Sequence, residues 1–210
     1  MGDLPLTPRG RASRDRILAV AAGLMARNGV AATSIEEVLA AAGAGKSQLY
    51  HYFGDRLGLV DAVIRFQVGS VLETHRRELA GIADWDGIRR WFDLIVTIQE
   101  GRRCAGGCPL GTLGAELADT DMEARRIIDA GFGSWEGAIG DTIERLAGAG
   151  LIAAGADVGA LRIATLSAIQ GGLLLSKTAR SVAPLRIALD MALEHLRRAA
   201  PPPAPVTAHG

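Results

Sequence analysis

Apolar residues recur along this chain at three- and four-residue spacings, and nowhere do they alternate with polar ones for more than a few positions. That period belongs to helices, in which residues i, i+3, i+4 and i+7 share one face. Ile17, Val20, Ala21 and Leu24 make the first stripe and predict a helix from about Ser13 to Asn28, stopped by Gly29. Ile35, Val38, Leu39 and Ala42 make the second, opened by Ser34 and Glu37 in capping-box spacing and closed by Gly43. After the turn Gly43-Ala44-Gly45 the next helix has room only for Lys46 to about His51, too short to persist without a neighbour. Leu49 and Phe53 are spaced to hold it. From Asp55, a plausible cap, Leu57, Val60, Ile64, Val68, Val71 and Leu72 predict one long helix to about Ala80.

Asp84 or Asp86 can cap the following helix, whose apolar face is Ile88, Trp91, Phe92, Ile95 and Ile98. A glycine-rich loop from Gly101 to Cys108 ends at Pro109, a favoured first helical residue, and a short helix follows to Ala118. Thr120 with Glu123 offers a capping box for a long helix to about Ala149, with Ile128, Phe132, Trp135, Ile139, Ile143 and Leu146 on one face. Gly133, Gly137 and Gly140 form a second stripe on that helix. Each costs about 1 kcal/mol of helix propensity relative to alanine, which calls for a close backbone neighbour or an open cavity. Asp157 caps a helix to about Thr178 that is apolar nearly all round, and a last helix runs from near Pro184 to about Ala199. Two successive helices apolar beyond one face imply a partner chain. The expected fold is all-α with about nine helices. Residues 1–12 read as a flexible arm, 13–60 as a three-helix helix-turn-helix head, 61–199 as a ligand-binding and dimerisation bundle, and 200–210 as a disordered tail.

Composition agrees with helices: 49% of the 210 residues are hydrophobic but only 4% aromatic, so the core is built from Ala, Leu, Ile and Val. The net charge of zero argues against a general polyanion binder. Over the first 60 residues, however, Arg9, Arg11, Arg14, Arg16, Arg27, Lys46 and Arg56 outnumber Asp3, Asp15, Glu36, Glu37 and Asp55. No signal-peptide run follows the N-terminal arginines, and the most apolar stretch, Ile163 to Leu175, is too short to span a bilayer. A cytoplasmic protein without a membrane partner is expected.

The second and third helices carry the most distinctive chemistry. With Leu49 and Phe53 inward, Lys46, Ser47, Gln48, Tyr50 and His51 are left as donors, acceptors and one cation, suited to phosphates and base edges of double-stranded DNA. Ser47 and Gln48 are the candidate base contacts, and Thr33, Lys46, Tyr50 and His51 the candidate phosphate grips. Thr33, Ala42-Gly43, Lys46 and Leu49-Tyr50-His51-Tyr52-Phe53 followed by Gly54-Asp55-Arg56 resemble the tetracycline-repressor (TetR) family of bacterial transcription regulators over residues 13–60. Gly45 departs from the small polar cap usual in that family, and Arg56 stands where lysine is common. Gly107-Cys108-Pro109-Leu110-Gly111-Thr112-Leu113 with Glu116-Leu117 resembles a segment of the LmrA/YxaF-like branch. The resemblance implies a repressor that dimerises through its last two helices as a four-helix bundle and answers a small-molecule effector.

For that effector the candidate residues are Trp91, Ile95, Thr112, Phe132, Trp135, Ile139 and Gln170, aromatic and apolar groups with isolated polar ones, as pockets between helices are built. The plain alternative is that the aromatic residues are core. Cys104 and Cys108 have no zinc-site spacing and are read as structural loop residues, with a redox switch as the alternative. His51, His75, His195 and His209 form no constellation, and no nucleophile with its base, metal cluster or phosphate loop is recognisable. An enzyme, a metal and a cofactor are therefore not expected. A small-molecule carrier would leave the 33–53 chemistry unexplained.

Overall fold

The computed structural model describes residues 7–202, which form nine α-helices and no strand. They are α1 (Pro8–Asn28), α2 (Ile35–Ala42), α3 (Lys46–Phe53), α4 (Arg56–Leu79), α5 (Trp85–Gly101), α6 (Pro109–Leu117), α7 (Met122–Gly148), α8 (Val158–Ala179) and α9 (Ala183–Arg198). Most ends follow from their caps. Ser34 and Glu37 make the reciprocal box, with Glu37 N–H to Ser34 Oγ at 3.2 Å and Ser34 N–H to Glu37 Oε2 at 2.9 Å. Asp84 rather than Asp86 caps α5 by accepting from Gly87 N–H at 2.6 Å, and Asp157 caps α8 through Ala160 N–H at 2.9 Å.

Three boundaries differ from the sequence expectation. The first helix starts at Pro8, because Thr7 accepts from Gly10 N–H at 3.1 Å and Pro8 occupies the first turn. Residues 8–12, expected in an arm, are thus helical and Thr7 is their cap; residues 1–6 of that arm lie outside the described residues, as does the tail from 203 onward. α3 continues to Phe53. α7 is opened by Asp121, not Thr120: Asp121 Oδ1 accepts from Glu123 N–H at 3.0 Å and Ala124 N–H at 2.9 Å, while Thr120 turns its hydroxyl back to the Leu117 carbonyl.

The helices gather into two compact units, one holding the chain up to Glu73 with Gly106–Phe132, the other Thr74–Ala105 with the chain from Gly133 onward. In the first unit Ile17, Ala21 and Met25 of α1 pack with Val38, Leu49 and Phe53, and α4 adds Leu59, Val63 and Ile64. Leu113 of α6 and Ala124 and Ile128 of α7 belong to the same cluster. The core that supports α2 and α3 therefore includes a segment far downstream in sequence.

In the second unit α8 and α9 are the most closely associated pair. Gly172 permits this: a Cβ there would stand 3.0 Å from Leu185 Cα and 3.1 Å from Ala188 Cβ. Ser176 Oγ accepts from the buried Leu185 N–H at 3.1 Å. The stretch expected to be too short for a bilayer lies in a helix that is long and apolar enough by length and composition. Leu161, Leu166, Ile169 and Leu173 of that helix are buried in the unit, however. Its other side carries Ile163, Leu174 and Leu175, which with Ile187 and Met191 of α9 are each more than half exposed. A groove of about 840 Å³ runs along Ala164, Ala168, Leu175, Ile187 and Met191. The stripe of Gly133 and Gly137 has no close backbone neighbour, since nothing stands within 4 Å of where their Cβ atoms would be, and Gly140 meets only side chains, Arg162 Cδ at 3.4 Å being nearest.

Candidate nucleic-acid interface

On α3 the i, i+3 and i+4 geometry separates two faces. Leu49 and Phe53 are buried, whereas Lys46, Ser47, Tyr50 and His51 are exposed together on the other side. The helix is anchored to α1 by Gln48 Nε2, which donates to the buried Ser13 Oγ at 3.4 Å, and by Arg14, whose guanidinium lies 5.5 Å from the Phe53 ring centre. Arg16 Nε donates to the Ala42 carbonyl at 2.9 Å, tying the end of α2 to the same helix. Lys46 pairs with Glu36 at 3.1 Å, both side chains about two-thirds exposed. The Glu36 carboxyl is held below the usual carboxylate range by its own backbone N–H first and by Lys46 second. A pair this exposed contributes little to stability, so Lys46 can exchange its carboxylate for a phosphate at small cost.

Two of the expected contact residues have other tasks. Thr33 is 2% exposed and its hydroxyl donates to the Gly29 carbonyl at 2.7 Å, closing the α1–α2 loop. Gln48 is half-buried; its Oε1 accepts from Gly45 N–H at 3.1 Å and its amide nitrogen is on Ser13. It supplies the reciprocal half of a capping box by satisfying the Gly45 N–H, while Gly45 has no side chain to supply the other half.

In the second unit Trp91 Nε1 donates to His75 Nδ1 at 3.1 Å, and the His75 ring stacks on Trp135 with centroids 4.1 Å apart and planes 19° off parallel. Burial pushes the His75 pKa down to about 4, so the ring is neutral at pH 7 and its Nδ1 lone pair is free to accept. Trp135 Nε1 and Gln170 Nε2 are buried donors with no hydrogen-bond partner among the described residues. Ile95 and Ile139 are buried in the same unit. Thr112 and Phe132 belong to the first unit: the Thr112 hydroxyl donates to the Gly106 carbonyl at 3.1 Å, and Phe132 packs against the head core. Cys104 and Cys108 are both buried and neither is in a disulfide. No cluster of metal-ligating side chains occurs among the described residues.

Comparison with known proteins identifies residues 17–63 with the bacterial regulatory proteins of the tetR family, and residues 85–191 with the C-terminal domain of LmrA/YxaF-like transcriptional regulators. The chain belongs to the TetR family. It is a transcriptional regulator with a helix-turn-helix DNA-binding head. An uncharacterized HTH-type transcriptional regulator in the lacX 3′ region of Lactococcus lactis subsp. lactis is 27% identical over 186 residues, covering 86% of this chain and 91% of the relative. Among solved structures, a TetR transcriptional regulator from Chloroflexus aurantiacus has a TM-score of 0.81 at 25% identity, covering 90% of this chain and 96% of that one. The reduced form of Escherichia coli NemR has a TM-score of 0.76 at 21% identity, covering 91% and 99%, and speaks to the fold alone.

Sequence reasoning about this TetR-family chain missed His75 as the partner of Trp91 and Trp135 and Glu116 as a partner of the α1–α2 loop. Glu116 belongs to the Glu116-Leu117 extension of the Gly107–Leu113 segment, a signal to which the sequence assigns no role. His75 had no local signal, since its partners come from α5 and α7.

Proposed function

We propose that this TetR-family regulator is a ligand-responsive repressor that binds a near-palindromic operator as a homodimer and is released by a small apolar or aromatic effector. The observation that carries the DNA reading is the exposed quartet Lys46, Ser47, Tyr50 and His51 on a helix whose opposite face is fixed in the core. α3 enters the major groove; Ser47 touches a base edge, and Lys46, Tyr50 and His51 grip phosphates. Gln48 sets the angle of α3 and reaches a base only by giving up Gly45 and Ser13. Lys46→Ala and Tyr50→Ala should weaken binding to every duplex and reduce the salt slope by about 1 per lost phosphate contact. Ser47→Ala should instead relax sequence preference. Unchanged operator affinity in all three variants refutes the assignment.

The effector reading draws on the unpartnered Trp135 Nε1 and Gln170 Nε2 and on the buried Trp91, Ile95 and Ile139 of the same unit. Two orphaned donors are served by hydrogen-bond acceptors, so the effector is an uncharged, largely aromatic molecule carrying carbonyl or ether oxygens. Uncharged aromatic ketones are the probe: binding should alter tryptophan fluorescence and release DNA. Trp135→Phe keeps a ring but removes the donor, and should raise the concentration needed by roughly five- to tenfold, about one hydrogen bond's worth. Release at wild-type concentrations in that variant excludes Trp135 from the site.

A further inference from the structure

The loop between α1 and α2 is held from two sides. On one, the Glu116 carboxylate of α6 accepts from the backbone N–H groups of Val30 at 2.7 Å and Ala31 at 2.6 Å, one oxygen for each. On the other, Arg56 of α4 donates to the Val30 carbonyl at 2.6 Å and the Thr33 carbonyl at 3.4 Å. Gly29 is required twice over: its φ is +90°, and a Cβ on it would stand 3.1 Å from a Glu116 oxygen. The loop ends at Ser34, the cap of α2, and only the Gly43–Gly45 turn separates α2 from α3. A shift at residues 30–31 is therefore passed along one rigid helix to the exposed face of α3.

Charge-assisted hydrogen bonds of this length are stronger than neutral ones, and the paired oxygens match two consecutive N–H groups as a single acceptor cannot. The two bonds differ in consequence. Ala31 is exposed and water can replace its partner, whereas Val30 is buried, so its N–H would be left without one. Leu113 packs α6 into the head core and Val30 packs there too, but apolar contact is non-directional, whereas the Glu116 carboxylate orients both loop N–H groups.

We infer that Glu116 is a positioning residue for DNA reading: with Arg56 it fixes the α1–α2 loop and so the angle at which α2 presents α3 to the duplex. Glu116 lies in the LmrA/YxaF-like C-terminal match and Val30 in the tetR-family N-terminal match. The carboxylate is thus a point where the regulatory part of the sequence grips the reading part. The inference rests on the assignment of α3 as the DNA-reading helix.

The test uses the full chain and a duplex that the wild-type protein enriches from a random-sequence pool. Affinity, active fraction by stoichiometric titration, and helicity and Tm by circular dichroism are measured together. Glu116→Ala should remain helical and fully active by stoichiometry, yet bind the enriched duplex at least about tenfold more weakly. Binding to an unrelated duplex should change little, because Lys46, Tyr50 and His51 remain. Glu116→Gln, with one acceptor oxygen, should fall between. Arg56→Ala should match Glu116→Ala, and the double variant should be far less than additive, since both act on one loop. A lowered Tm and active fraction with unchanged affinity of the folded fraction marks a structural role and overturns the inference, as does failure of both Glu116 variants to fold cooperatively. If wild type binds and the Glu116 variants bind equally well, only this inference falls. If wild type enriches no duplex, the DNA-reading assignment fails and takes this inference with it.

Discussion

His75 accepts from Trp91 and lies flat against Trp135, an arrangement that only a neutral imidazole permits. Its pKa is pushed from 6.5 down to about 4 by burial; a proton on Nδ1 would also turn an acceptor into a donor facing the indole N–H. The unfolded chain takes up this proton near pH 6.5, the folded chain only near pH 4. Stability from this group is therefore complete above pH 6.5 and is lost as pH falls toward 4, by about 3 kcal/mol in all. His75→Gln supplies a neutral acceptor that does not titrate. Urea unfolding from pH 7.5 to 4 should show a shallower decline in the variant, and equal declines would rule out His75 as the source. None of this was legible locally, because a lone histidine in a helix announces no partner. Ser34, Glu37 and Gly43 were legible because a cap is satisfied within a few residues. Thr33 shows the limit: its position near a helix start suggested an outward grip, whereas its hydroxyl closes the loop on Gly29.

Helical stripes identified most of the nine elements, since a face that must be buried repeats wherever the helix continues; the short α6 was placed by Pro109 instead. Their ends were less secure where two caps competed or where a polar start hid a helix. α1 begins with a nearly stripe-free turn, Pro8 to Ala12, whose evidence was only Thr7 and Pro8. The glycines of α7 suggested a close backbone neighbour or an open cavity, and at Gly133 and Gly137 no close approach is made. The close approach occurs at Gly172 instead, where α9 crosses, inside a helix whose apolar residues drew the attention. A glycine's spacing on its own helix says nothing of which neighbour arrives. The candidate site divides in the same way: the α3 face follows from the period of one short helix, while the grouping of Trp91 with Trp135 needed three helices brought together around His75.

At the scale of the whole molecule, the apolar surface of α8 and α9 exceeds what the described residues cover. Ile163, Leu174, Leu175, Ile187 and Met191 stay more than half exposed beside the groove along Ala164, Ala168 and Leu175. Contiguous apolar patches of this kind mark association surfaces. A two-fold symmetric dimer matches the patch to itself, doubling the effect of each substitution. In the proposed dimer Leu175→Arg would place two unpaired charges in the interface, at about 2–5 kcal/mol for a buried charge left unpaired, yet within one chain it is a surface change worth about 0.5 kcal/mol or less. Sedimentation at micromolar concentration should therefore give a dimer for wild type and a monomer of undiminished helicity for Leu175→Arg. The monomer should also lose operator affinity steeply, since two heads related by a two-fold axis read half-sites about one helical turn, 34–36 Å, apart. A wild-type monomer, or a Leu175→Arg chain that still sediments as the dimer, removes α8 and α9 from the interface. The operator would then no longer be expected to be a palindrome.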